Sequence, residues 1–141
     1  MDTLPLGSLL VRTWFGGDNE WQQLKAAIET PSEEGFLANV NVIEDRAHEG
    51  NDADALKAMT PRGRYGALVS FIADKTTLTT EGWPMLVVWV LPADPDDERE
   101  FRPFRVVASK LWSVENNLNL ANLDWDDFQG AVDAHGVFRG F

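Results

Sequence analysis

The 141-residue chain contains no cysteine. That excludes disulfides, thiol nucleophiles and cysteine-ligated zinc, and it suits a reducing cytoplasm, the expected location. Positive charge is scarce as well: 12 lysines and arginines face 23 aspartates and glutamates, for a formal net charge of -11. Phosphate backbones and anionic lipid surfaces attract basic proteins, so neither nucleic acid nor membrane is expected as a partner. Histidine is limited to His48 and His135, both within two residues of a glycine and without H-x-x-x-H spacing. No metal site and no cofactor is therefore expected. No G-x-S-x-G elbow is present, and no catalytic nucleophile–base pair stands out. Long apolar runs are missing too, since a membrane span needs roughly 20 such residues. The opening M-D-T-L-P-L-G-S-L-L-V-R has no basic n-region, so no signal peptide is expected.

What the chain does have is enough apolar material for a core: 44% hydrophobic residues, six of them tryptophan. One domain over residues 1–141 is expected, with 1–8 as a flexible N-terminus. Residues 9–14 read as a first strand, closed by Gly16-Gly17. Asp18 is a candidate N-cap for a helix carrying Trp21, Leu24 and Ile28 at helical spacing. Residues 39–43, N-V-N-V-I, alternate as a half-buried strand. Asn51 or Asp52 can cap a short helix with Leu56 and Met59, which Pro61 ends. Residues 66–73 and the apolar run 85–91 read as central strands. Residues 101–107 return as a further strand after the charged turn D-P-D-D-E-R-E, and Pro103 places part of it at a sheet edge.

The predicted class is α/β (α+β), a mixed sheet of about five strands flanked by helices. The first three strands follow βαβαβ order with parallel crossovers, and the last two form an antiparallel hairpin, because their connection is too short for a crossover.

The densest polar feature is S-V-E-N-N-L-N-L-A-N-L-D-W-D-D-F, residues 113–128. Leu118 and Leu120 alternate with Asn117, Asn119 and Ala121, which predicts a short extended piece. Asp124 and Asp127 predict a capped helix with Trp125, Phe128 and Val132 on its apolar face and Gly136 at its end. The asparagines admit two readings. Their amides can brace neighbouring backbone where the chain turns. They can equally form a recognition edge, because an amide donates and accepts at once. The candidate partner-binding set is Trp83, Trp112, Glu115, Asn116, Asn117, Asn119 and Asn122, the tryptophans because loop-borne indoles often anchor interfaces.

The tail F-R-V-V-A-S-K-L-W-S-V-E-N-N-L-N-L-A-N-L-D-W-D-D-F, with V-D-A-H-G-V-F-R-G-F after it, resembles a family of small acidic bacterial and fungal domains of unknown function. The L-L-V-R-T opening, the helix with Trp21 and the A-D-K-T-T-L stretch are similar to it too, so the resemblance covers most of residues 9–141. Leu123 and Trp125 stand where family members often carry methionine and phenylalanine. The resemblance implies a shared fold and carries no activity.

Function is expected to be non-enzymatic protein binding, most concretely as the acidic partner of a basic protein in the manner of immunity or antitoxin proteins. The alternative is a small-molecule binder or enzyme with a site around residues 112–122 and Glu115 as general acid or base. A homo-oligomer joined through an edge strand is the third possibility.

Overall fold

The computed structural model describes residues 5, 7–60, 67–91, 96 and 101–141. Among these, six strands form one sheet: β1 (Ser8–Arg12), β2 (Val40–Ile43), β3 (Val69–Ala73), β4 (Met85–Trp89), β5 (Phe104–Val106) and β6 (Val137–Phe138), in the order β2-β1-β3-β4-β5-β6. Five α-helices accompany them: α1 (Asp18–Ile28), α2 (Ala53–Met59), α3 (Lys75–Thr79), α4 (Leu111–Asn119) and α5 (Trp125–Gln129). β2 and β3 flank β1 in parallel, and β4 is antiparallel to both β3 and β5. The expected βαβαβ unit and terminal hairpin are therefore present in a mixed sheet. The sixth strand was not expected. Two residues of β6 run parallel to β5 and cover it, so β5 is not an edge. Pro103 is tolerated because it precedes the strand, and its missing N–H falls outside the ladder.

From β1 the chain passes through α1 to β2 on one side, then through α2 to β3 on the other. Right-handed crossovers in opposite directions put their helices on opposite faces of the sheet. The core accordingly divides by the alternation of strand side chains. Leu10, Phe71, Val87 and Phe104 join Trp21 and Leu24 of α1 with Val114, Leu118, Trp125 and Phe128. Leu9, Val11, Ile72 and Val88 join Leu56 of α2. β1 and β3 are buried along their whole length because both faces are covered.

Several local expectations are corrected. Asp18 is not the N-cap of α1. Gly17 caps it in a left-handed conformation, with φ 65°, and Asp18, in the first turn, bonds Arg12 instead. The glycine pair is required by space as well. A Cβ on Gly16 would lie 2.5 Å from the Trp14 ring. Asp52 rather than Asn51 caps α2, accepting from the Ala55 N–H at 2.9 Å. Ser8 already belongs to β1 and is buried, whereas residues 1–4 and 6 of the expected flexible N-terminus lie outside the described residues. Pro61 and most of the turn at 92–100 lie outside them too. The segment 117–121 is not extended but closes α4. α5 ends at Gln129 with Gly130 as its C-cap, so Val132 lies beyond it and Gly136 turns the chain into β6.

Arg12 fastens the carboxyl end of β1. Its side chain is 2% exposed. Nε donates to Trp14 O at 2.9 Å, and Nη2 donates to Gly16 O at 3.0 Å and to Asp18 Oδ1 at 2.8 Å. Nη1 donates to Glu44 Oε2 at 3.2 Å. The guanidinium also lies over the Phe15 and Trp21 rings.

A second ion pair spans β4. Arg105 on β5 grips both oxygens of Asp74, at 3.0 and 2.7 Å, and donates to Pro84 O. Asp74 also caps α3, accepting from the Thr77 N–H at 3.0 Å. Burial alone would raise its pKa, but the bonds and charge of Arg105 and the Thr77 amide hold it below the ordinary 3.8. A carboxyl depressed in this way adds stability that is complete above 3.8 and disappears as pH falls through the lower folded value. Asn caps helices as well as Asp. Asp74→Asn should therefore lose less stability than the parent below pH 3.8, as read by urea melts at stepped pH. Asp133 does not obscure the comparison. Arg139, with the Val137 and His135 amides, holds it at about 2 in both proteins.

Candidate functional site

α4 forms because Leu111, Val114 and Leu118 recur at helical spacing and are buried on the sheet. Its end is a Schellman motif: the Asn122 N–H donates to Asn117 O at 2.9 Å and the Ala121 N–H to Leu118 O at 3.1 Å. Ala121 takes the left-handed position, with φ 57°, where glycine is usual. Relief of that strain outweighs the extra chain entropy of glycine, so Ala121→Gly should stabilise the protein by about 0.5–1 kcal/mol. A rise in the urea midpoint would show it.

At the amino ends of β1 and β3 the ladder is replaced by side chains. Backbone pairing of these strands begins only at Leu10 and Phe71. Before that point the Ser8 hydroxyl donates to Val69 O at 2.5 Å, and the Leu9 N–H donates to Ser70 Oγ at 2.9 Å. Asn119, from the last turn of α4, completes the seam. Its Oδ1 accepts from the Leu68 N–H at 3.0 Å, while Nδ2 donates to Ser8 Oγ at 2.8 Å and Glu115 Oε2 at 2.9 Å.

Glu115 is 6% exposed. Besides Asn119, it accepts at Oε1 from the Asn39 N–H and from Asn116 Nδ2. Asn116 Nδ2 donates to Leu37 O as well, at 3.0 Å. The Glu115 carboxylate pairs with no lysine or arginine among the described residues. Next to this network lies a cavity of about 530 Å³, lined by Asn39, Asn41, Glu115, Asn116 and Asn119, with Leu37 and Leu120 also in its wall.

The structure thus brings Glu115, Asn116 and Asn119 of the predicted set together. Trp112 is linked to them indirectly. Its ring stacks on Phe36 at 5.1 Å, and Phe36 adjoins Leu37. Asn117 turns back into its own helix and donates to Ser113 O at 2.8 Å. Asn122 is exposed beyond the helix end. Trp83 precedes β4 at the opposite end of the sheet, half-buried against the core. Sequence reasoning missed Ser8, Phe36, Leu37, Asn39 and Leu120. Asn39 carried a signal as the polar tooth opening N-V-N-V-I. Ser8 carried none, because only the strand pairing brings it beneath α4.

Among the described residues, no group of three His, Asp or Glu side chains is placed to hold a metal ion, and no helix is long and apolar enough to cross a membrane. No curated protein matches the chain. A family model described as a domain of unknown function (DUF6924) matches residues 7–141, and the chain belongs to that family.

Proposed function

We propose that the chain is a non-enzymatic protein-binding module that engages a basic protein through the surface around α4, in the manner of an immunity or antitoxin protein. The observation that carries this reading is a convergence of exposed apolar side chains. Phe36 is 50% exposed, Leu37 45% and Leu120 69%, and both leucines border the Glu115 cavity. Stacking of Phe36 on Trp112 extends the same patch. Clustered exposed apolar side chains bordered by polar residues mark interaction sites. The net charge of -11 sets the sign of the partner, because a second copy of so acidic a chain would be repelled.

A small-molecule binder or enzyme is the second reading, favoured by the cavity's volume, which falls in the usual range for ligand sites. Catalysis is the weaker part of it. Both Glu115 oxygens already accept in-chain bonds, and the cavity wall adds no second acid or base among the described residues.

The test is capture from cell extract on immobilised protein, comparing the parent with Leu37→Ser/Leu120→Ser. Both leucines are substantially exposed, so the melt should hardly change. Capture of a basic protein should fall at least about tenfold. It should also weaken from low to moderate salt, since screening acts beyond a Debye length of about 8–10 Å. Capture indifferent to the two leucines would defeat the reading.

A further inference from the structure

Glu115 poses a problem of charge. A buried carboxylate is costly unless it is hydrogen-bonded and opposed by a cation. Its hydrogen bonds come from one backbone N–H and two amide side chains, all neutral. Among the described residues the counter-charge is missing, and the open space beside the carboxylate is the 530 Å³ cavity.

The remaining acceptors agree. A carboxylate offers about four lone-pair sites, of which three are taken. Asn116 must point its NH2 at Leu37 O and Glu115 Oε1, both acceptors. Its Oδ1 therefore faces the other way and receives no bond from a described residue. The Asn39 side chain, also in the wall, makes no hydrogen bond with a described residue. The cavity thus offers one charged and two neutral acceptors on three residues. The NH2 groups of Asn116 and Asn119 are already committed, while that of Asn39 has no partner among the described residues. Leu37 and Leu120 add an apolar collar.

We infer that this cavity receives one arginine side chain of the partner protein, with Glu115 as its counter-charge. The inference rests on the protein-binding reading above and specifies what enters the site. Arginine fits better than lysine, because its planar fork carries five donors and can reach acceptors spread over several residues. Its trimethylene stem would lie between the two leucines while the guanidinium replaces its water with amide and carboxylate oxygens.

The experiment uses the intact chain and two probes, Nα-acetyl-arginine amide and its neutral isostere Nα-acetyl-citrulline amide, followed by amide NMR. The arginine probe should shift the signals of Asn39, Glu115, Asn116 and Asn119, saturating on the order of millimolar, as suits one side chain without its protein. Citrulline should leave them in place. Glu115→Gln should abolish the response, but it sets an NH2 against one or two of the three donors and can unfold the seam. Asn39→Ala is the second variant. It removes a free acceptor, keeps the backbone N–H, and should weaken arginine binding several-fold with an unchanged melt.

No shift with arginine, or equal shifts with citrulline, overturns the inference. Micromolar affinity for the free arginine derivative also overturns it, by marking a small-molecule receptor. A silent cavity alongside leucine-dependent capture defeats this inference alone. A responsive cavity alongside leucine-indifferent capture defeats the protein-binding reading.

Discussion

Arg12→Ala is expected to destabilise the protein by about 3 kcal/mol or more. The two carboxylate contacts are the smaller part. Asp18 is 84% exposed and Glu44 38% exposed, so water takes over much of what those pairs contribute. The larger part is the buried guanidinium and its stem, packed against Phe15 and Trp21, together with the bonds to Trp14 O and Gly16 O. Alanine leaves a void there and removes the brace of the β1–α1 turn. Arg12→Lys separates charge from geometry. A single ammonium cannot reach four acceptors on different residues, so a deficit of about 1–2 kcal/mol should remain. Urea melts of the three proteins would measure both. An unchanged midpoint in Arg12→Ala would remove the residue from this role.

The second large effect lies at the other end of the strands. Asn119→Ala should cost about 2–4 kcal/mol, because it leaves the Leu68 N–H without its acceptor and takes donors from Ser8 and Glu115. Asn117→Ala, two positions away, should stay within about 0.5 kcal/mol, since its amide only returns to Ser113 in its own helix. Hydrogen exchange adds a local readout: the Leu68 amide should lose protection in the Asn119 variant and keep it in the Asn117 variant. Equal losses in the two melts would mean that Asn119 carries no special share of the seam.

The contrast shows what could be read from the chain. The short, largely apolar runs of β1, β3 and β4 and the helical spacing of Trp21, Leu24 and Ile28 fix elements whose causes are local, and these were legible. In α4 two periods competed. Leu118 and Leu120 alternate like a strand, while Leu111, Val114 and Leu118 recur like a helix. Burial favoured the helix and left Leu120 in solvent. β6 was illegible because two residues carry no period, and only the edge of β5 gives them a place. The candidate site was half legible. Glu115, Asn116 and Asn119 lie on one helix and stood out as a cluster. Ser8 and Leu37 come from 111 and 79 positions away, so only the fold could supply them.

The hydroxyl-and-amide seam between β1 and β3 has a consequence for how relatives of this chain can diverge. A backbone ladder fixes the spacing of two strands for any sequence, but here that spacing is set by Ser8, Ser70 and Asn119. Lengthening or shortening one of these side chains would widen or narrow the mouth of the sheet and reshape the cavity floor. The ladder from Leu10 and Phe71 onward would be untouched. The shape of that cavity can therefore drift by single substitutions at one margin while the remaining architecture is inherited intact.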